Sequence, residues 1–226
     1  DIYAKILENT NKYNPASIAF DIFFSEKDKQ NPKNLLIELK KNNNTLSNLE
    51  FLDTDKIFIE EIKKNKVILP IVGTIKKNLV VNNSKPKLKI ISKGPNPKNY
   101  LFKFKSKITS LEEINNAATG IGFISLLPGI DGIIRSMPIL LNIDNQIWPS
   151  LSLESIRVSN NQKNLLVESD EVGIQTIKTR KNIFITDYNG IINIKFKEFK
   201  KSNYISAINI INNDFDKNSI KDKFIL

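Results

Sequence analysis

The sequence predicts an α/β fold: a single mixed α/β domain with a central sheet flanked by helices and an amino-terminal amphipathic helix. Three observations support this prediction. Residues 2–10 carry apolar side chains at helical spacing, residues 18–24 form a nearly continuous apolar run, and a second run at residues 67–72 follows a helical segment. Such runs fit strands that are covered on both faces. We find no internal repeat and no flexible linker, so we assign one domain to residues 1–226.

The opening helix is predicted from side chains that recur every three or four residues along one face. These side chains are Ile2, Tyr3, Ile6, Leu7 and Thr10. Asp1 stands where an acid favours a helix amino end, and Asn14 and Pro15 end the segment. The apolar run at residues 18–24 then predicts a buried strand that is interrupted by Asp21.

A strand–helix–strand unit follows. Residues 33–41 predict a short helix. Asp53 or Asp55 can cap the next helix, and the lysines near its end suit a helix carboxyl terminus. Residues 67–72 are the next strand. The order strand, helix, strand predicts a parallel βαβ unit with covered faces.

Short elements are predicted in the middle of the chain. Residues 88–91 and 101–108 resemble strands. Residues 110–113 read Ser-Leu-Glu-Glu, which matches a capping box, and they predict a short helix that reaches about residue 118. Residues 120–124 and 133–141 then predict a β-hairpin, because an Asp-Gly pair lies between two apolar runs. The predicted hairpin loop contains Pro128, Gly129, Asp131 and Gly132.

The last third of the chain predicts one helix followed mainly by strands. The helix begins at residues 148–150, Trp-Pro-Ser, with the proline near its first turn. The predicted strands are residues 165–168, 172–177, 183–185 and 191–196. A turn with Asp and Gly at residues 187–190 joins the last two strands. Residues 206–211 predict a short helix, and residues 223–226 end the chain on β-type side chains.

The chain contains no cysteine and no histidine, which excludes several kinds of chemistry. It can form no disulfide framework, thiolate nucleophile, zinc site built from Cys and His, or serine hydrolase triad. The least charged stretch, residues 117–130, is shorter than the roughly 20 residues that a membrane span requires. We therefore expect any membrane attachment to lie outside these residues.

The formal net charge is +10, from 34 Lys+Arg against 24 Asp+Glu. This excess predicts either a surface for nucleic acid or anionic lipid, or a solvated surface shaped by an AT-rich genome. The arginines are Arg135, Arg157 and Arg180. Nucleic-acid binders usually concentrate arginine and interleave aromatic side chains, and the best cluster of basic and aromatic residues, Lys103, Phe104, Lys105 and Lys107, alternates like a strand. We therefore expect no nucleic-acid partner.

Acidic residues after the first predicted strand form one candidate site. Asp21, Glu26 and Asp28 occupy the place at which α/β sheets usually carry active-site acids. Oxygen ligands of this kind suit Mg²⁺ or Ca²⁺, but no second acidic pair has the spacing that would complete the site. The alternative is that Asp21 accepts hydrogen bonds or pairs with a cation, because an isolated ionised acid is unstable in an apolar core. We expect no metal and no catalytic residue.

Asp131, Gly132 and Arg135 form a second candidate site. Arg135 could hold an anionic ligand that Asp131 orients. Alternatively, Asp131 and Gly132 make a turn while Arg135 pairs with an acid across the sheet. Both alternatives remain open, and neither implies catalysis. The predicted ligand-binding residues are therefore Asp21, Asp131 and Arg135.

Several segments, taken in order, resemble one known family, the CHASE2 domain. These segments are AFDIFFSEKD (residues 19–28), KNKVILP (64–70), GFISLLPGIDGIIRSMPIL (122–140), WPSLSLESIR (148–157), ITDYNGIINIKF (185–196), YISAINII (204–211) and IKDKFIL (220–226). The third segment is similar to the most recognisable hairpin of the family, an Asp-Gly pair followed by an arginine. The fourth is similar to its P-S-L-x-L-E helix. Each segment is weakly specific, whereas the ordered set is fairly specific.

The resemblance implies an extracytoplasmic (periplasmic) sensor domain of a bacterial membrane receptor, with no chemistry and no cofactor of its own. In such receptors, transmembrane helices flank the domain, and the cytoplasmic output is a nucleotide cyclase or a kinase. We expect an adenylate or guanylate cyclase as output, with a kinase as second choice. Because these outputs act as dimers, we also expect a homodimer that responds to a small-molecule or environmental signal.

Two other functions are consistent with the residues. The lysine excess and Arg135 suggest a periplasmic binding protein for an anionic small molecule. A hydrolase that uses Asp21 is the third alternative, and it predicts metal binding that is lost in Asp21→Asn. The full gene separates the first two: hydrophobic spans on both sides favour the receptor, and a cleaved signal peptide alone favours the binding protein.

Overall fold

A computed structural model describes residues 2–34, 36–37, 52–76, 83–126, 129 and 131–226. Its helices are α1 (Ile2–Asn11), α2 (Thr54–Lys64), α3 (Glu112–Ala117), α4 (Leu151–Ser159) and α5 (Ala207–Asn212), with short 3₁₀ helices at Pro97–Asn99, Lys201–Asn203 and Lys217–Ser219. Its strands are β1 (Ser17–Ala19), β2 (Val67–Thr74), β3 (Lys89–Lys93), β4 (Lys103–Phe104), β5 (Ser106–Thr109), β6 (Gly120–Phe123), β7 (Ser136–Pro138), β8 (Leu140–Ile143), β9 (Gln146–Pro149), β10 (Asn164–Ser169), β11 (Ile174–Lys178), β12 (Ile183–Ile185), β13 (Ile191–Asn193) and β14 (Phe224–Ile225).

The main sheet has β2 at its centre. Strand β1 runs parallel to β2 with Ile18 opposite Val67, and α2 connects the two, so the predicted βαβ unit is confirmed. Strand β14 pairs in parallel with β1, and β6 pairs in parallel with β2. Alternate carbonyl groups of β2 and its flanking residues accept from β1 and β5 along one edge and from β6 along the other. Residues 67–69 and 71 of β2 are fully buried, as a strand covered on both faces requires.

A second sheet has the order β12, β11, β10, β3. Strand β10 is parallel to β3 and antiparallel to β11. Buried residues alternate with partly exposed ones along β10, so one face of the sheet covers the core and the other is open to solvent. Smaller pairings join β7 to β13, and β4 and β9 to β8.

Helix α4 connects the two sheets through opposite faces. Its residue Leu153 packs in one apolar cluster with Leu165 of β10. Leu151 and Val158 pack in another with Ile68 of β2. The described chain thus forms a mixed α/β fold with helices against a central sheet, and the predicted fold class is confirmed.

The predicted hairpin at residues 120–124 and 133–141 is wrong. Strand β6 pairs in parallel with β2, whereas β7 pairs with β13 and β8 pairs with β9. The edge of β2 that does not pair with β1 pairs in parallel with β6. An Asp-Gly pair in the sequence contains no information about such a long-range pairing. Pro128, which we placed in the hairpin loop, lies outside the described residues.

Three other element predictions need correction. The first strand ends at Ala19, and the rings of Phe20 and Phe24, which follow it, pack edge-to-face against each other. Ser110 caps no helix: its Oγ accepts from the backbone N–H of Phe24 at 3.1 Å, and α3 begins without a side-chain cap. Trp148 belongs to β9, and Ser150 is the residue that caps α4. The predicted helix at residues 33–41 lies mostly outside the described residues.

Candidate functional site

A buried ion pair lies on α4. Nε and Nη2 of Arg157 donate to the two carboxylate oxygens of Glu154, each at 2.7 Å. The Glu154 side chain is fully buried and that of Arg157 is 5% exposed. Burial raises the pKa of Glu154, while the Arg157 guanidinium and the N–H of Ile121 in β6 oppose that shift. Neither residue is among the predicted site residues, although an acid and an arginine three residues apart on a helix without other charges indicate such a pair.

Two glycines allow α4 to lie directly on β6. A Cβ atom on Gly120 would lie 2.7 Å from Oε1 of Glu154. One on Gly122 would lie 2.6 Å from Cα of Leu151, the first residue of α4. Both distances are shorter than real Cβ contacts allow, so glycine is required for this approach.

A groove of about 520 Å³ opens beside the carboxyl end of α4. It is bordered by the loop between α4 and β10 and by the turn between β11 and β12. Its lining residues are Ile91, Asn161, Gln162, Lys163, Asn164, Leu166, Lys178, Thr179 and Arg180. The lining therefore combines three cations and several amides with two aliphatic side chains that rise from β3 and β10.

Gln162 connects this groove to the buried ion pair. Its carbonyl oxygen accepts a hydrogen bond from Nη1 of Arg157. Its side-chain Oε1 accepts from the backbone N–H of Arg180 at 2.8 Å, and its Nε2 donates to the carbonyl of Asn164 at 2.8 Å. One residue thus holds both borders of the groove and contacts the only described arginine that is buried.

The predicted pair Asp131 and Arg135 is brought together in the loop after β6. Nη2 of Arg135 lies 2.8 Å from Oδ2 of Asp131, and both side chains are about half exposed. Oδ1 of Asp131 also accepts from the backbone N–H of Ile133 at 3.1 Å. The hydrogen bond from Arg135 and the one from Ile133 hold the pKa of Asp131 below its usual range. Arg135 pairs with the acid of its own turn rather than with one across the sheet.

The acids after β1 do not assemble into one centre. Asp21 is exposed, and among the described residues no hydrogen bond or ion pair joins it to Asp131 or Arg135. Glu26 pairs with an exposed lysine, whereas Asp28 accepts a hydrogen bond from the hydroxyl of Thr54 at 2.8 Å. In the described part of the chain, no group of three or more acids is arranged to hold a metal ion.

The two ends of the described chain lie side by side next to β1. Tyr3 of α1 packs edge-to-face against Phe20, which follows β1, with ring centroids 6.2 Å apart. At the other end, β14 pairs with β1, and the N–H of Ala16 donates to the carbonyl of Lys223 at 2.8 Å. Nδ2 of Asn9 further joins α1 to α5 through the carbonyl of Ile210 at 3.0 Å. Structural changes in β1 would therefore reach both ends together.

None of the helices in the described ranges is at once long and apolar enough to cross a lipid bilayer. No curated protein and no solved structure matches the chain. The family model of the CHASE2 domain matches residues 1–226, the whole chain, and it agrees with the ordered segments identified from the sequence. The chain therefore belongs to the CHASE2 domain family, whose members are extracytoplasmic sensor domains without catalytic activity.

Proposed function

We propose that this chain is the ligand- or stress-sensing part of a transmembrane receptor whose cytoplasmic output is an adenylate or guanylate cyclase. The observation that carries the proposal is the position of α4. This helix packs on β1 and β6 and leads into the loop that borders the open groove. A signal that shifts α4 thus has a short, packed route to β1, and from β1 to both α1 and β14.

A sensor of this kind needs two arrangements of similar free energy, of which the signal favours one. The rings of Tyr3, Phe20, Phe24 and Phe58 suit such a junction, since their centroids lie between 4.7 and 6.2 Å apart. Packed rings have discrete arrangements, so a displacement of α1 against β1 requires that they repack. We propose that this aromatic cluster passes the change to the segment that precedes α1.

Asp21, Asp131 and Arg135 remain proposed ligand contacts. The supporting observation is topological: β1, β2 and β6 are parallel, so Asp21 and the loop with Asp131 leave the sheet at the same edge. Ligands of open α/β sheets usually bind at this carboxyl edge. Asp131 neutralises Arg135 in the ligand-free state. An anionic ligand that binds Arg135 would therefore have to replace Asp131.

We further propose that the receptor is a homodimer in the membrane, with no nucleic-acid partner. Cyclase and kinase outputs act as dimers. The amino end of α1 offers a contact surface, since Ile2 is 66% and Tyr3 is 41% exposed. Flanking membrane helices would leave the domain beside β1, where both ends of the described chain lie.

The test is a fusion of this chain, with the flanking membrane segments of its parent protein, to a reporter cyclase. We expect at least one extracellular condition to change the cyclase rate by about 5- to 150-fold, which is the fold-change that corresponds to typical coupling free energies between two sites. Tyr3→Ala should reduce that response, because it removes one ring of the aromatic cluster. Tyr204→Ala, at an exposed tyrosine in another segment, should leave it unchanged. A cyclase rate that stays the same under every extracellular condition, and that also does not change in Arg135→Ala, contradicts the sensory role.

A second candidate, a periplasmic binding protein for an anionic small molecule, is favoured by the cations of the groove. The complete reading frame distinguishes the two. Hydrophobic spans on both sides of the chain support the receptor, and a cleaved signal peptide without any span supports the binding protein.

A further inference from the structure

The groove beside α4 is lined by cations that the described residues neutralise only in part. Lys163 and Arg180, on its two borders, have no ion-pair partner among the described residues. Lys178, between them, is neutralised by Glu168, whose Oε2 lies 2.6 Å from Nζ. Two of the three cations that line this groove of about 520 Å³ are therefore without an anionic partner in the described chain.

The rest of the lining restricts the chemistry of an occupant. Ile91 is 50% exposed and Leu166 is partly buried, so strands β3 and β10 add an aliphatic surface to the lining. Asn161 and Asn164 add amide groups that can donate hydrogen bonds. The lining contains no aromatic ring on which a nucleic-acid base could stack, and its cations repel metal ions. The volume falls in the range of small-molecule sites, roughly 300–1,000 Å³.

We infer that this groove binds a small organic anion, a carboxylate or phosphate ester with a compact apolar portion. Lys163 and Arg180 hold the anionic group, and Ile91 and Leu166 contact the apolar portion. This inference rests on the proposed sensory function and names the ligand class of the sensor. The site is distinct from Arg135, whose guanidinium is already paired with Asp131.

The same contacts explain how binding of the anion would affect the position of α4. A ligand that bridges Lys163 and Arg180 ties the loop after α4 to the turn after β11. Gln162 already joins these two segments, because its side-chain Oε1 accepts a hydrogen bond from the backbone N–H of Arg180. Its backbone carbonyl accepts a hydrogen bond from Nη1 of Arg157. Closure of the groove therefore moves the partner of the buried ion pair, and with it the helix that lies on β1 and β6.

The experiment is isothermal titration calorimetry on the 226-residue chain at constant ionic strength, with phenyl phosphate and inorganic phosphate as probes. We expect phenyl phosphate to bind more tightly than inorganic phosphate, because it also covers the aliphatic surface. Arg180→Ala and Lys163→Ala should each weaken phenyl phosphate binding by about tenfold, the value of a hydrogen bond to a charged group. Glu168→Gln should tighten it by about threefold, because it releases Lys178.

The matched control is the pair Lys200→Ala and Lys201→Ala, two exposed lysines that do not line the groove. It should leave the dissociation constant unchanged. If the control weakens phenyl phosphate binding equally, or if Glu168→Gln does not tighten it, the inference is overturned, because binding then reflects only the general positive charge of the chain. If neither phenyl phosphate nor inorganic phosphate binds, the inference is also overturned. The sensory function is still supported in that case if the reporter cyclase responds to another extracellular condition. The opposite signs expected for Arg180→Ala and Glu168→Gln separate lost binding from lost folding.

Discussion

Glu154 and Glu168 show how differently the two sheets treat charge. Against the main sheet, Glu154 is fully buried with Arg157, and burial raises its pKa. On the open face of the second sheet, Lys178 and the hydroxyl of Thr176 donate to Glu168, and together with Lys93 they lower its pKa to about 2. One carboxylate is shielded from water, and the other remains solvated among lysines.

The same contrast extends to the apolar residues. The central strand β2 is almost entirely buried, whereas β12, at the edge of the second sheet, exposes Ile183 and Ile185 by 65% and 80%. The main sheet therefore holds most of the packing on which the fold depends and also the chain ends. The second sheet has an exposed face whose side chains can change at little cost. This division suits a sensor that binds its signal at one sheet and transmits it through the other.

The largest effect is expected at the buried ion pair. Glu154→Ala should lower the free energy of unfolding by about 3–5 kcal/mol, because it leaves the positive charge of Arg157 buried without an anionic partner. Urea unfolding followed by circular dichroism measures this loss. Replacement of both residues, Glu154→Leu with Arg157→Met, should recover most of it, since the unpaired charge is then absent.

The control for this prediction is Asp131→Ala, which breaks an ion pair whose side chains are about half exposed to water. It should lower the free energy of unfolding far less than Glu154→Ala does, because water solvates both charges of an exposed pair. Equal losses at Glu154 and Asp131 would contradict the distinction between a dry and a solvated region.

Contact between β6 and α4 predicts the next largest effect. Gly122→Ala places a methyl group against the backbone of Leu151 and should cost about 3 kcal/mol, the upper range of overpacking. Gly132→Ala is the matched control, because it has a φ of +75° and no atom within 4 Å of the added Cβ. Its cost should stay near 1 kcal/mol, from the left-handed backbone alone. A smaller loss for Gly122→Ala than for Gly132→Ala in urea unfolding would show that α4 and β6 are not rigidly packed.

The sequence predicts several local elements correctly where short-range chemistry decides them. The side chain of Asp53 caps α2 as predicted, and the apolar run at residues 67–72 is the central strand. Helix α5 and the turn at residues 187–190 also lie where their composition indicates. Each of these depends on residues within one turn or one strand, which a sequence pattern contains.

Long-range pairing is where prediction from the sequence fails. The Asp-Gly signal predicts a hairpin, yet β6 gains more by a covered place beside β2 than by pairing with the strand that follows. The same difference between local and long-range contacts applies to the charged side chains. Asp131 and Arg135 meet because they are four residues apart, whereas Lys163 and Arg180 line one groove only after the second sheet has formed.

The smallest effect concerns acid stability at the second sheet. Because the pKa of Glu168 falls from 4.5 to about 2 on folding, the unfolded chain binds more protons between these values. The stabilisation by Glu168 is therefore complete above about pH 5 and is lost as the pH falls toward 2. In Glu168→Gln, the unfolding midpoint in urea should decline less steeply over this window.

Lys178→Ala supplies the control, since it removes the main partner of the same carboxylate. It should flatten the acid dependence in the same direction, and the double variant should add little to either single change. Unchanged slopes in both single variants between pH 5 and pH 2 would show that the lysines do not hold Glu168 in its ionised form. The second sheet would then differ from the first in exposure alone, and the gain in anion binding expected from Glu168→Gln would lose its electrostatic basis.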